Sequence, residues 1–135
     1  MTENELATVI VDAAFKVHTA FGPGLLESVY EAVLERELIR RGLQVSRQQG
    51  IPLNYGDLHL ETGCRADLIV EEKVIVEIKA VEAIAAVHRK QLLTYLKLAD
   101  KRLGLLINFD VELIKDGIVR VVNRLEDEGS FSQRR

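Results

Sequence analysis

Residues 64–80 read CRADLIVEEKVIVEIKA, and this stretch decides the fold. It holds two apolar, β-branched runs, 64–70 and 74–80, and we predict that each run forms a β-strand. The three charged residues between the runs make a connection short enough for an antiparallel hairpin. Charges inside strands mark either a solvent-facing side or a functional site. Inside the two runs such charges include Asp67, Glu77 and Lys79.

Side chains alternate between the two faces of a strand, so the pattern predicts which residues share a face. In the second strand, Glu77 and Lys79 share one face. In the first strand, Asp67 lies on one face and Ala66 on the other. Asp67 and Glu77 stand at similar distances from the turn, so antiparallel pairing brings the two carboxylates together. The apolar faces are formed by Ala66, Leu68 and Val70 and by Val74, Val76 and Ile78.

Two converging carboxylates are typical of a site for Mg²⁺, which takes oxygen ligands and keeps several waters. Lys79 follows on the face of Glu77, within reach of a metal-bound water or a phosphate oxygen. The alternative is a solvent-exposed sheet face with cross-strand ion pairs, each worth at most ~1 kcal/mol. The strand pattern alone leaves both interpretations open.

The rest of the sequence predicts helices on either side of further strands. Thr2 and Glu5 have the spacing of a capping box, which opens a first helix that ends at Gly22. Other predicted helices span 25–41, followed by the stop signal Gly42, and 84–98. Further strands are predicted at 45–49, 51–55, 58–60 and 103–109, with a hairpin of 112–115 and 118–123 across Asp116-Gly117. We therefore expect an α/β (α+β) fold with a central sheet flanked by α-helices.

Length and composition indicate one globular unit. The 135 residues suffice for one domain with a core, which we predict over 1–125, followed by a disordered polar tail at 126–135. The single cysteine, Cys64, excludes a disulfide framework within one chain. We find no apolar run long enough to cross a bilayer and no basic secretory leader, so we expect a cytoplasmic protein.

Three motifs carry a resemblance to a known family. Asp67, nine intervening residues and then Glu77-Ile78-Lys79 give the D-x(n)-E-x-K pattern, which resembles the PD-(D/E)xK nuclease superfamily. Residues 91–95 read Q-x-x-x-Y, as in the branch that contains lambda exonuclease and RecB-type nucleases. Residues 24–30 read G-x-x-E-x-x-Y, the signature of the bacterial GxxExxY proteins. The resemblance covers about 6–123 and implies a restriction-endonuclease-like core with a mixed sheet; Ala66 replaces the superfamily's proline.

The resemblance implies a role for each site residue. Asp67, Glu77 and the backbone carbonyl of Ile78 become metal ligands, and Glu27 completes the metal shell directly or through water. Lys79 orients or deprotonates the attacking water. Gln91 and Tyr95 contact the phosphate or the site. The alternatives are surface carboxylates for the acids, a favourable helix-dipole position for Glu27 and an amphipathic helix boundary for Gln91 and Tyr95.

These roles imply a nuclease that uses Mg²⁺ or Mn²⁺ to hydrolyse nucleic acid, which we expect to be DNA. The net charge of −3 weighs against nucleic-acid binding, but local basic clusters matter more than the sum. Two alternatives stay open: a binding or regulatory module without catalysis, and a homodimeric junction-resolving endonuclease. The predicted phosphate-contacting residues are Arg89, Lys90, Lys97 and Arg40.

Overall fold

The computed structural model describes residues 1–125, so the predicted polar tail lies outside the described residues. The helices are α1 (Glu3–Phe21), α2 (Glu27–Arg40) and α3 (Ala86–Ala99). The strands are β1 (Val45–Tyr55), β2 (Leu58–Val70), β3 (Val74–Lys79), β4 (Leu103–Asn108) and β5 (Ile118–Val122). A short 3-10 helix, Ile114–Gly117, precedes β5.

The five strands form one sheet in the order β1-β2-β3-β4-β5. Neighbouring strands are antiparallel except β3 and β4, which run parallel and are joined by α3. The sheet is therefore mixed, as predicted. The β2–β3 hairpin is also confirmed, with Val70 opposite Val74. Its turn places Glu71 and Glu72 at φ 52° and 56°, the left-handed backbone that a tight hairpin with native twist requires.

Helices cover both faces of the sheet and give three layers. On one face, α1 and α2 pack on the sheet through a core that includes Leu6, Ile10, Leu34, Leu38, Leu68, Val76 and Ile78. On the other face, α3 packs through Leu92 and Leu96 on Ile69, Ile75 and Leu106. The predicted alternation holds for 68–70 of β2 and for β3, and these residues are buried on both sides because both faces carry a helix layer.

The helix termini follow the sequence signals. Thr2 Oγ1 accepts a hydrogen bond from the Glu5 amide at 3.1 Å, and Glu5 Oε1 accepts one from the Thr2 amide at 2.8 Å. This reciprocal pair is the predicted capping box, and it satisfies two amides that the helix leaves without partners. Gly42 follows α2 at φ 86°, a conformation that glycine adopts without steric cost.

The predicted hairpin of 112–115 and 118–123 is wrong. Ile114–Gly117 is a 3-10 helix, and β5 pairs with β4 instead, with Leu103 opposite Val122. Gly117 marks a close approach: a Cβ there would overlap the carbonyl oxygen of Asn108. The Asp-Gly pair, a frequent hairpin turn, here permits tight packing against the end of β4.

The strands predicted as short pieces join into a long ribbon. Runs 45–49 and 51–55 are one strand, β1, and its partner β2 is equally continuous. The outer part of the ribbon extends beyond the core, with Leu53 opposite Leu60 and Tyr55 opposite Leu58 on one face. Tyr55 is 79% exposed at the tip. On the other face the His59 ring hydrogen-bonds to Asn54.

Candidate active site

Asp67 and Glu77 meet where the β2–β3 ladder stops. The last backbone pair is Leu68 with Val76, and the next two positions are Asp67 and Glu77. Glu77 Oε2 accepts a hydrogen bond from the Asp67 amide at 2.7 Å, and Asp67 Oδ2 accepts one from the Ile78 amide at 2.8 Å. Side-chain carboxylates thus replace the ladder bonds, and the structure brings the two acids together.

Burial makes both carboxylates unusually weak acids. Glu77 is only 6% exposed, and burial, followed by the negative charge of Asp67, raises the pKa of Glu77 to about 8. Burial also raises the pKa of Asp67, and the hydrogen bond from Ile78 partly opposes that rise. The positive charge of Lys79 lowers the pKa of both acids, but not enough to offset burial. The pair therefore favours a proton or another positive charge beside it.

Lys79 lies beside this pair at the end of β3. Its side chain is half-buried, and its ammonium makes no ion pair within residues 1–125. Its Cα is paired with that of Asn108 on β4, which fixes the backbone from which the side chain extends. Because the Lys79 ammonium lies near two carboxylates but forms no salt bridge, its three N–H donors remain available to another oxygen.

Glu27 lies at the same end of β3, on the first turn of α2. Its Oε2 accepts a hydrogen bond from the Ala80 amide at 3.0 Å, directly after Lys79. Glu27 is exposed, and within residues 1–125 its side chain hydrogen-bonds to this backbone amide rather than to Asp67 or Glu77. Its predicted place in a metal shell stays a prediction.

Glu31 is the helix acid linked to Asp67, and sequence reasoning missed it. Glu31 is 6% exposed and receives a 2.6 Å hydrogen bond from Arg47 Nε. Gln48 Nε2 lies 2.9 and 3.1 Å from its two carboxylate oxygens and 3.2 Å from Asp67 Oδ1. The sequence signal that could have identified Glu31 is its helical position, because Glu31 falls on the inward-facing stripe of α2 with Leu34.

Ala66 lies on the side opposite to the prediction. It packs in the cluster beneath α3 with Ile69 and Ile75, rather than with Leu68. The alternation fails because the strands separate at Asp67, and because Gln48, across the β1–β2 pair, takes a left-handed φ of 54°. Where a strand separates from its neighbour, its side chains no longer alternate strictly between the two faces of the sheet.

The third helix brings Tyr95 towards the site. Tyr95 is partly buried against the cluster beneath α3, and burial, then the charge of Glu77, raises the pKa of its hydroxyl. Gln91 is exposed and makes no hydrogen bond within residues 1–125. His88 accepts the Ala85 amide on Nδ1 at 3.0 Å and so caps the start of α3.

Tyr30, the last residue of G-x-x-E-x-x-Y, is a structural anchor. Its hydroxyl donates to the Gly22 carbonyl at 2.6 Å and accepts from the Leu25 amide at 3.1 Å. Its ring stacks on Phe109 with centroids 4.5 Å apart. These contacts fix the loop that leads into α2, and therefore the position of Glu27.

A second residue that the sequence did not reveal is Asn108. It is buried at the end of β4, where Nδ2 donates to the Val81 carbonyl at 2.8 Å. Its Oδ1 accepts from the amides of Val81 and Asp110, each at 3.1 Å. Asn108 thereby holds the backbone that leaves β3 just after Lys79.

The predicted phosphate-contacting residues are available on the surface. Arg89, Lys90, Lys97 and Arg40 are exposed and make no ion pair within the described chain. Two neighbouring arginines are instead neutralised: Arg41 pairs with Asp12 and Glu37, and Arg47 pairs with Glu31 and Glu35. Three of the four predicted residues lie on α3, and Arg40 lies at the end of α2.

Comparison with known proteins agrees with this geometry. The family model of the PD-(D/E)XK nuclease superfamily matches residues 4–121, and the chain belongs to that superfamily. The mixed sheet with flanking helices fits the restriction-endonuclease-like fold, as predicted. No curated protein and no solved structure matches the chain significantly. None of the helices in residues 1–125 is both long and apolar enough to span a membrane.

The carboxylate oxygens at the site suit a hard divalent cation. Within residues 1–125, no group of three or more His, Cys, Asp and Glu side chains is arranged to hold a metal ion. Mg²⁺ needs fewer, since it is often held by one or two carboxylates and waters. Glu77 Oε1 accepts no hydrogen bond from the described residues. The carboxylates of Asp67 and Glu77 both offer oxygen atoms of the kind that hard cations bind. The donor set therefore fits Mg²⁺ or Mn²⁺.

Proposed function

We propose that this chain is a metal-dependent nuclease that hydrolyses phosphodiester bonds in DNA. The observation that carries the proposal is the pairing of the two acids beside Lys79, in a chain of the PD-(D/E)XK nuclease superfamily. The Glu77 carboxylate accepts from the Asp67 amide, and the Asp67 carboxylate accepts from the Ile78 amide. Two buried carboxylates with raised pKa values are costly unless positive charge neutralises them. A divalent cation is the partner of matching charge and ligand preference.

Each residue has a stated task in this proposal. Asp67, Glu77 and the carbonyl of Ile78 would hold a divalent cation, which would supply charge to polarise the phosphate and lower the pKa of a water. The Lys79 ammonium orients the attacking water and donates to the phosphate oxygens as negative charge develops on them. Glu27 holds the Ala80 amide and so fixes the backbone beside Lys79. Tyr95 borders the site from α3, with Gln91 one turn earlier.

The substrate is assigned from surface charge. Arg89, Lys90 and Lys97 form an exposed basic group on α3, the helix that also carries Tyr95. Such residues bind backbone phosphates without reading sequence. The Q-x-x-x-Y pattern favours nucleases that process DNA ends. Within the superfamily, we propose that the chain is a GxxExxY protein, on the pattern of residues 24–30.

The second candidate is a nuclease-fold module that binds but does not cleave. The observation that favours it is that residues 1–125 contain no preformed group of three metal-binding side chains. Metal affinity separates the candidates, because a binding module has no need of a cation held by Glu77. A homodimeric junction-resolving enzyme is a third candidate, distinguished by preference for branched DNA.

The test combines metal binding with cleavage. Mn²⁺ and Mg²⁺ are titrated by calorimetry into wild type, Glu77→Gln and the exposed control Glu112→Gln, and each protein is then incubated with labelled single-stranded, duplex and branched DNA and with RNA. We expect wild type and Glu112→Gln to bind metal and cleave DNA, and Glu77→Gln to do neither. Cleavage that survives equally in Glu77→Gln, or no metal binding by wild type, would refute the proposal.

A further inference from the structure

Gln48 stands between the buried helix acid and the metal-binding acid of the proposed site. Its amide nitrogen lies 3.2 Å from Asp67 Oδ1 and 2.9 Å from Glu31 Oε1. An amide NH₂ has two donors and no negative charge, so it bridges two carboxylates that otherwise repel each other. Glu31 is held from its other side by Arg47 Nε at 2.6 Å. The result is a chain of contacts from Arg47 through Glu31 and Gln48 to Asp67.

The backbone is shaped to deliver this side chain. Gln48 has a φ of 54°, which is unfavourable for a residue with a Cβ, and the β1–β2 ladder has no pair at Gln48 and Asp67. Arg65 holds the strained peptide by donating from Nη1 to the Gln48 carbonyl at 3.0 Å. Strained residues persist where the surroundings fix them, and they concentrate at functional sites.

We propose that Gln48, backed by Glu31 and Arg47, is the positioning residue of Asp67. With Oδ2 held by the Ile78 amide and Oδ1 by Gln48, the carboxylate has one orientation, and each oxygen keeps a lone pair for a cation. Metal-binding carboxylates are commonly hydrogen-bonded in this way, and loss of the supporting group costs about 10–100-fold in metal affinity. This inference rests on the proposed function.

The matched pair for the test is Gln48→Ala and Gln49→Ala. Both residues lie on β1, and Gln49 is exposed with no side-chain hydrogen bond within residues 1–125. We expect Gln48→Ala to bind Mn²⁺ about 10-fold more weakly by calorimetry and Gln49→Ala to match wild type. Cleavage by Gln48→Ala recovers at saturating Mn²⁺, because the ligands themselves remain, whereas Glu77→Gln does not recover. Equal Mn²⁺ affinity in Gln48→Ala and wild type would overturn the inference.

A metal-free measurement keeps the inference separate from the proposed function. The Gln48 side-chain amide is followed by ¹H–¹⁵N NMR in wild type and in Asp67→Ala, with Gln49 as the internal reference. We expect the Gln48 signal to shift and the Gln49 side-chain signal to stay. If wild type binds no Mn²⁺, the proposed function fails, and this signal then decides whether Gln48 holds Asp67. An unshifted Gln48 signal would refute the link.

Discussion

The Glu77 carboxylate lies against the backbone of Asp67, with Oε2 2.7 Å from the Asp67 amide nitrogen. This contact places a second acid beside the first in a buried gap between two strands. The hydrogen bond favours the ionised form of Glu77, yet burial outweighs it and raises the pKa of Glu77 to about 8. The site therefore holds a carboxyl group that titrates near neutral pH.

The stability of the metal-free protein depends on pH through Glu77. Its pKa is raised from 4.5 to about 8, so between these values the folded protein binds more protons than the unfolded chain. The free energy of unfolding therefore falls as pH rises through this window, by on the order of 4 kcal/mol for this group alone. Urea unfolding in EDTA at pH 5 and pH 8.5 measures the difference.

Glu77→Gln is the control for this pH dependence. The variant removes the titrating group and keeps its size, so its stability at pH 8.5 exceeds that of wild type, and its profile flattens. Parallel profiles for the two proteins would show that Glu77 does not titrate in this range. Added Mg²⁺ stabilises wild type at pH 8.5 and leaves the variant unchanged if the proposed site is correct.

Asn108 stabilises the chain that leaves β3. Replacing it with alanine removes the hydrogen bonds to Val81 and Asp110 and leaves buried backbone groups without partners. We expect Asn108→Ala to lose about 2–3 kcal/mol, measured by urea unfolding. Asn54→Ala, on the exposed ribbon, is the control and changes stability by less than about 0.5 kcal/mol. A loss in Asn54→Ala as large as in Asn108→Ala would contradict this assignment.

The Tyr30 hydroxyl is expected to stabilise the loop before α2. Tyr30→Phe keeps the stack on Phe109 but removes the bonds to the Gly22 carbonyl and the Leu25 amide. We expect a loss of about 1–2 kcal/mol in thermal or urea unfolding. Tyr55→Phe, at the exposed tip of the ribbon, serves as the matched control. Equal stabilities of the two variants would show that the hydroxyl of Tyr30 contributes nothing.

DNA binding is expected to depend on salt through α3. Substituting Arg89, Lys90 and Lys97 together with alanine removes the exposed basic group of this helix. For duplex DNA, we expect the slope of log affinity against log salt concentration to fall by roughly 2–3 units, about 0.9 per lost phosphate contact. Fluorescence anisotropy at several salt concentrations measures it. Lys115→Ala is the control, and an unchanged slope in the triple variant would exclude α3 from the binding surface.

Local patterns predicted much of the fold. The β-branched runs around the Glu71–Lys73 turn and the Thr2–Glu5 capping box depend on near neighbours in sequence, and both are present. The Asp116-Gly117 pair led to the wrong prediction of a hairpin because glycine is also required where another backbone packs too closely for a Cβ. That approach, from Asn108, is a contact set by tertiary packing and invisible to the local pattern.

The candidate site was predicted less completely than the fold. Asp67, Glu77 and Lys79 were predicted as site residues because they interrupt apolar strands and match a motif. Glu31 and Gln48 connect to Asp67 across separate elements, with hydrogen bonds that span 17 and 19 residues of sequence. The hydrophobic period marked the inward side of α2, but it gave no reason to look for an acid there. Gln48 takes its role from a left-handed backbone that no local signal predicted.

The ribbon of β1 and β2 offers a site for engineering this chain. Its tip, from Tyr55 to Leu58, lies beyond the helix layers, and Gly56 at φ 59° makes the turn. Exposed tips of this kind tolerate inserted sequence, because no buried backbone has to be rebuilt. A peptide tag inserted between Gly56 and Asp57 should leave unfolding stability and metal affinity at wild-type values. Such a tag would anchor the chain to a surface for single-molecule recording and keep the attachment point away from the Asp67–Glu77 site, which lies at the other end of the ribbon.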